Sequence, residues 1–217
     1  GDYRALYRTA KSQMTGQQLE ILRRIGGASA NRNFPGIVDF ARQRGDVFVV
    51  IAWVHGVNLR SFLGAVRAGK TPRPSVSEVV RLVRGLAHGV AHYHRRTNII
   101  HGDISPANIV ISSGAKTLVL IDFGAAWPIE RAAQREHDEY TNPYAAPERI
   151  GKHASEDFRS DIFSLSAIAY EMLTLTLPYD GLGGQAGTPK LAAKTAGSYR
   201  DPSSMIASRG RLTKQTV

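Results

Sequence analysis

The sequence predicts an α+β molecule in two lobes, a small strand-rich one followed by a mainly helical one. Three observations carry this. Two apolar, β-branched runs, GIVDF and VFVVIAWV, lie early in the chain and are divided by the turn-forming RQRGD. After the linker KTPRPS, apolar residues recur at helical spacing from Val79 to Ala91. A later segment, from about Asp161 to Leu173, is apolar nearly all round, which predicts a buried helix.

The elements follow in order. In QQLEILRRI, residues 17–25, Leu19, Ile21, Leu22 and Ile25 fall near one helical face, and Gly26 and Gly27 end the helix. GIVDF and VFVVIAWV then form a hairpin. Gly56 breaks its second strand, and NLRSFLGAV reads as a short helix. Ser75 and Glu78 have the spacing of a capping box, in which the Ser oxygen and the Glu carboxylate satisfy free N–H groups. The long helix that follows ends near HRRTN. NIVI and LVLI are short strands joined by SSGAK, a second hairpin. Residues 1–55 would make the first lobe, 56–180 the helical lobe and 181–217 a basic tail. Residues 185–217 hold six Lys/Arg against one Asp and few large apolar side chains, so the tail is expected to pack poorly.

Composition limits the function classes. The chain has 217 residues, 42% hydrophobic and 21% charged, which suits a soluble globular class. No apolar run approaches the ~18–20 residues needed to cross a bilayer. No charged segment followed by an apolar one opens the chain, so secretion is not expected. With no cysteine, disulfides, thiolate metal sites and Cys nucleophiles are excluded, and a cytoplasmic setting fits. The net charge of +10 suits acidic partners or phosphates. No aromatic ladder interleaves the basic residues, which argues against nucleic acid. His88 and His92 are four apart on the long helix but lack a third ligand, and read as ordinary helix residues. Trp53 and Trp127 read as packing residues.

The chemistry concentrates around the second hairpin. Asp103 and Asn108, in HGDISPANIVI, precede its first strand, and Asp122 follows its second. A hairpin returns the chain to its starting edge, so the three should converge. Two carboxylates and an amide oxygen are hard donors suited to Mg²⁺ and nucleotide phosphates. Phe123-Gly124 after Asp122 permits a sharp turn. Each residue alone favours a plain Asp-Gly turn; the joint pattern is what points to a site.

At this point the sequence resembles the protein kinase superfamily. HGDISPANIVI is similar to the catalytic loop His-Arg-Asp-Leu-Lys-Pro-x-Asn, and IDFG to the metal-binding Asp-Phe-Gly motif. TNPYAAPE resembles the end of an activation segment, and SDIFSLSAIAYEMLT the buried helix beginning Asp-x-Trp-Ser. The resemblance covers roughly residues 17–180. It implies a two-lobed kinase fold with a small, incomplete N-lobe. It also implies ATP and Mg²⁺ as cofactors, and a protein substrate phosphorylated on Ser or Thr, since SPAN keeps the Pro-x-Asn ending of Ser/Thr kinases.

The implied roles are specific. Asp103 would orient the substrate hydroxyl and accept its proton. Asn108 and Asp122 would hold Mg²⁺, and Thr141 would steady Asp103. The backbone at Ile51, Ala52 and Val54 would bind adenine, with Val110 beneath the base and Asn58 nearby. Asp161 would brace the catalytic loop, and Glu148 would anchor the activation segment.

Three departures from the family pattern stand out. Gly102 replaces an Arg that pairs with a phosphorylated loop, so activity is expected to be independent of that phosphate. Ser105 replaces the Lys that steadies the γ-phosphate, and still counts among the catalytic-loop residues, since Ser or Thr occurs there in RIO and Bud-type kinases. No Gly-x-Gly-x-x-Gly turn is present; GLGGQAG at 181–187 follows a helix and is in the wrong context. RALYR is similar to the Val-Ala-x-Lys strand but puts Tyr7 at the Lys position, leaving Lys11 as the phosphate-binding candidate and Glu20 as the best candidate for its partner, although strict helix alignment puts Gln18 there. The chain opens on Gly, which fits either a fragment lacking the glycine loop or a diverged domain. A pseudokinase scaffold and a small-molecule phosphotransferase remain alternatives, the latter disfavoured by YAAPE and SDIFSLS.

Overall fold

The structure, a computed structural model, describes residues 4–9, 16–27, 31–43, 46–114, 116–134, 143–149, 156–187 and 199–208. The first sheet holds β1 (Arg4–Thr9), β2 (Ile37–Gln43) and β3 (Asp46–Ala52), antiparallel in the order β1-β3-β2. β3 is therefore central, with Tyr7 opposite Val49 on one side and Phe40 opposite Val49 on the other. Between β1 and β2 runs α1 (Gly16–Gly27). Ile21 and Ile25, one turn apart, are both buried, while Glu20 and Arg23 are exposed. This is the amphipathic face read from the sequence.

Three residues, 53–55, connect β3 to β4 (Gly56–Asn58) and α2 (Leu59–Arg67). Gly56 thus starts a strand where the sequence suggested a break. The reason is a close approach: β4 pairs with a strand of the second hairpin, and a Cβ on Gly56 would lie 2.1 Å from the Ile111 carbonyl oxygen. Only glycine lets the two backbones meet there. Trp53 is likewise unlike the expectation: it is 53% exposed and touches only the edge of His55 among described rings.

α3 (Val76–Thr97) is the axis of the helical lobe. The Ser75 hydroxyl accepts the Glu78 N–H at 3.2 Å, and Asn98 closes the helix in the left-handed region, its N–H donating to the His94 carbonyl. The Ser cap was legible in the sequence, and the helix ends within the HRRTN stretch where its end was expected. Its buried face, Val79, Leu82, Leu86, Val90 and Tyr93, joins α1 and α4 in one core. A short strand, β5 (Ile99–Ile100), leads to the loop of interest, followed by β6 (Ile109–Ser112) and β7 (Leu118–Leu120), the second hairpin, and β8 (Trp127–Pro128), which pairs with β5.

α4 (Phe158–Thr174) is buried on nearly all sides, as its composition predicts. It begins three residues earlier than Asp161, because Asp157 supplies the cap by accepting the Arg159 N–H at 2.7 Å. Of the tail expected to pack poorly, 181–187 lies against 145–147, and α5 (Pro202–Ser208) lies on α4 with Met205 sulfur accepting from Tyr170 Oη at 3.2 Å. Among the described residues, no helix is long and apolar enough to cross a membrane.

Candidate active site

The β6–β7 hairpin brings the predicted residues to one edge. At its mouth the Ile121 N–H donates to the Asn108 carbonyl at 2.8 Å, so the residue before Asp122 and the residue before β6 are clasped together. Asn108 Nδ2 donates to the Asp103 carboxylate at 2.8 Å and to the Asp103 carbonyl at 2.9 Å. Asp103 is half-buried, and its N–H donates to His101 Nδ1 at 3.3 Å.

Asp122 is exposed, with φ at +66°. That region is unusual for a residue with a side chain, and Asp tolerates it better than most. The Gly124 N–H donates to Asp122 Oδ1 at 2.9 Å, which holds the turn. The next residue turns inward: the Phe123 ring stands 5.1 Å from His101, 5.7 Å from Tyr93 and 6.1 Å from Phe34. The Asp therefore faces outward on a backbone anchored by an aromatic cluster beneath it.

Below the loop lies Asp161, buried, 1% exposed. Its Oδ2 accepts the His101 N–H at 2.8 Å and its Oδ1 the Gly102 N–H at 3.0 Å, and His94 Nε2 donates to Oδ2 at 2.8 Å. Burial pushes this carboxyl up. The His94 hydrogen bond, with the fields of His101 and His94 and the Gly102 N–H, outweighs burial, and the carboxyl ends below its ordinary range. The bracing role implied for Asp161 is thus present in the geometry. His101 is fully buried, which lowers its affinity for a proton against the opposing fields of Asp161, Asp103 and Asp122.

The end of the activation-type segment is fixed at several points. Tyr144 Oη donates to the buried Glu171 at 2.5 Å, and Glu171 also pairs with Arg67 of α2. Burial first, then the Glu171 hydrogen bond, raises the Tyr144 hydroxyl well above its usual pKa. The Ser164 hydroxyl donates to the Tyr144 carbonyl at 2.7 Å, and the Ser160 hydroxyl to Glu148 at 2.8 Å. Glu148 is therefore held by a serine of α4. Arg149 donates to the Gly102 carbonyl and pairs with Glu156, which is 3% exposed. GLGGQAG has its own use: the Gly184 N–H donates to the Ala145 carbonyl at 2.8 Å, and a Cβ on Gly184 would lie 2.3 Å from the Pro147 nitrogen.

Other predicted residues take these places. Ser105 is buried, and its carbonyl accepts the Asn108 N–H at 2.9 Å. Ile51 and Ala52 close β3, and the Ala52 N–H donates to the Gly36 carbonyl at 2.8 Å; Val54 follows, half-buried. Val110 is buried on β6, opposite Asn58 and Val119. Asn58 has a positioning role: its oxygen caps α2 at the Arg60 N–H, 3.0 Å, and its Nδ2 donates to the Ala107 carbonyl at 2.6 Å. Glu20 is exposed and pairs with Arg24 one turn on, at 3.2 Å. Lys11 and Thr141 lie outside the described residues. His88 is exposed, and no group of three potential metal ligands among His, Cys, Asp and Glu occurs among the described residues.

Sequence reasoning missed His94 and Arg149. His94 had a signal: it continues the buried stripe Leu86, Val90, Tyr93 on α3. Arg149 had none, since the Gly102 carbonyl it meets lies 47 residues away and its pairing with Glu156 follows no helical or strand period.

A two-lobed α+β scaffold, with this Asp–Asn–Asp edge braced from below by a buried Asp, defines the class of kinase folds. The chain belongs to the protein kinase domain family, whose model matches residues 9–205. It is similar to the probable serine/threonine-protein kinase pknA2 of Bifidobacterium longum, 33% identical over 79% of this chain and 22% of the relative. Similar too are MAP kinase kinase mkk-4 of Caenorhabditis elegans (28%, over 75% of this chain and 45% of the relative) and serine/threonine-protein kinase PknE of Mycobacterium tuberculosis (34%, over 67% and 25%). The matched stretch thus spans less than half the length of these relatives.

Proposed function

We propose that this chain is the catalytic domain of a protein serine/threonine kinase, transferring the γ-phosphoryl group of ATP, with Mg²⁺, to Ser or Thr hydroxyls of proteins. The observation that carries the reading is the pairing of Asn108 with Asp103 and the Ile121–Asn108 bond that brings the neighbouring Asp122 to the same mouth of the β6–β7 hairpin. Their donor set fits the metal. The Asn108 nitrogen is engaged by Asp103, which leaves its amide oxygen as the group able to meet a cation, and Asp122 presents a carboxylate at the surface.

When bound, Mg²⁺-ATP supplies the phosphoryl group and the countercharge. Asp103 orients the substrate hydroxyl and takes its proton, and Asn108 keeps the Asp103 carboxylate in place. Peptide groups at Ile51, Ala52 and Val54 would hold the adenine edge, with Val110 lining the site, while Asn58 joins α2 to the catalytic loop. Ser105 shapes the loop through its carbonyl bond to the Asn108 N–H, and in this reading Lys11 would meet the phosphates and Thr141 would steady Asp103. Such catalysis is mostly positioning and charge stabilisation.

The Ser/Thr class is supported by SPAN and by the names of the relatives above. We read 1–55 as the smaller lobe, 56–180 as the helical lobe and 181–217 as a basic tail. A cysteine-free composition supports a cytoplasmic setting, and the lack of a basic aromatic ladder supports a protein substrate over nucleic acid.

The test is to titrate ATP with and without Mg²⁺, repeat with Asp122→Asn, and assay transfer to a basic protein with identification of the phosphorylated residue. Metal-dependent binding, weakened at least tenfold by Asp122→Asn, with phosphoserine or phosphothreonine as product, is expected. Equal binding in all three titrations with no transfer overturns the reading in favour of a pseudokinase scaffold; phosphotyrosine overturns the substrate class.

A further inference from the structure

We infer that Arg149 is a positioning residue that clamps the peptide joining Gly102 to Asp103, tying the end of the activation-type segment to the proposed catalytic aspartate. The inference rests on the kinase reading above and adds a residue to its machinery. Gly102 sits at φ +73°, a conformation that glycine adopts without a Cβ penalty but also leaves readily. Its N–H is held by Asp161 at 3.0 Å. Its carbonyl, the atom that sets the orientation of the peptide entering Asp103, receives the Arg149 guanidinium. With both polar groups of Gly102 engaged, the freedom of the glycine is removed at the one place where it would swing Asp103.

Arg149 is itself held. Glu156, buried just before α4, pairs with it, and Asp157 next in line caps that helix. A delocalised guanidinium can serve a carboxylate and a carbonyl together, whereas an ammonium is a single point charge on a flexible stem. The segment carrying Arg149 is fixed independently at Tyr144 and Glu148. Movement of this segment is therefore transmitted to the peptide before Asp103. Gly102 has no side chain to make such a link, and Arg149 makes it from the opposite direction.

The experiment compares wild type, Arg149→Gln, Arg149→Lys and Glu156→Gln, with Arg159→Gln as a control for loss of a neighbouring exposed cation. Two readouts are taken: phosphate transfer with kcat and KM for ATP separated, and hydrogen exchange of the amides of residues 101–104. Arg149→Gln is expected to lower kcat at least tenfold with KM for ATP within twofold, and to speed exchange of those amides at least tenfold while α3 and α4 keep their protection. Arg149→Lys should recover part of both, and Glu156→Gln should show a smaller loss in the same direction. Arg159→Gln should change neither.

Unchanged exchange at 101–104, or kcat within twofold of wild type, overturns the inference. If Arg149→Gln loses protection in α3 and α4 as well, it has unfolded, and Glu156→Gln decides by the same two readouts. A wild-type chain that transfers no phosphate overturns the kinase reading instead, and the exchange data then decide the clamp by themselves.

Discussion

Asp161 is the residue on which the loop depends most visibly. It is fully buried, yet three donors reach its two oxygens. Losing the acceptor leaves buried donors unsatisfied, at ~1–3 kcal/mol each. With three donors orphaned, Asp161→Ala should destabilise the chain by about 3–5 kcal/mol in chemical denaturation. Asp157→Ala removes a half-exposed cap on the same helix and should cost only ~0.5–2 kcal/mol. Equal losses would mean that Asp161 acts as no more than a cap. The sign with pH follows from its lowered carboxyl pKa. The unfolded carboxyl titrates near its ordinary value, so the contribution is present above about pH 4 and is lost as the pH falls through the lower folded value. Asp161→Asn should flatten that acid limb of the stability profile.

At the scale of elements, α4 carries buried polar residues, three of which beyond Asp161 meet partners on other segments. Glu171 meets Tyr144 and Arg67, Ser164 meets the Tyr144 carbonyl, and Ser160 meets Glu148. Tyr144→Phe leaves a Glu171 oxygen without its hydroxyl donor in a buried place, and should cost ~1–3 kcal/mol in thermal or urea unfolding. The loss should be smaller if Arg67 can shift to cover both oxygens, which Arg67→Ala in the Tyr144→Phe background will reveal as non-additivity. Gly184 belongs to the same scale. Its Cβ would meet the backbone of Ala146 and Pro147, so Gly184→Ala should destabilise by ~1–3 kcal/mol through overpacking. A neutral result would show that the 181–187 turn moves aside at no cost.

Across the whole molecule, two kinds of connection join the early elements to the helical lobe. One is buried: Ile21 and Ile25 of α1 enter the common core, and Asn33 sends its Nδ2 to the Leu118 carbonyl at 2.7 Å, against a face of α3 where Gly89 leaves room. The other is exposed: Arg24 of α1 pairs with Glu130 at 2.9 Å, both side chains being substantially solvent-accessible. Exposed pairs contribute ~0–1 kcal/mol and are screened by salt, so Glu130→Gln should shift stability by less than about 1 kcal/mol. Asn33→Ala should cost more, ~1–3 kcal/mol, since it leaves a buried carbonyl unsatisfied. Regulation belongs at this scale too. A phosphate on the activation-type segment brings about −1.5 to −2 charges and needs a cation. Gly102 supplies none, so phosphatase treatment should leave transfer within about twofold of its untreated rate; a large loss would show another cation serving that phosphate.

The sequence by itself determined the elements whose signals are local. The stripe and caps of α3, the apolar ring of α4, the two hairpins and the convergence of Asp103, Asn108 and Asp122 all follow from spacing of a few residues, where side-chain periodicity maps directly onto backbone geometry. Asp161 as a brace came from motif resemblance, and its three donors bear it out. The tertiary structure alone decided which polar residues meet across long stretches of chain. Arg149 on the Gly102 carbonyl, His94 beneath Asp161, Ser160 on Glu148 and Gly184 against Ala145 leave no periodic trace. Their partners lie between 12 and 67 residues away for the side-chain contacts, and such contacts are fixed by how helices and loops pack, not by local propensity. Gly56 and Gly184 show the same division. A glycine signals freedom in the sequence, but whether that freedom serves a turn, a break or the close approach of another backbone is set only when the other backbone arrives.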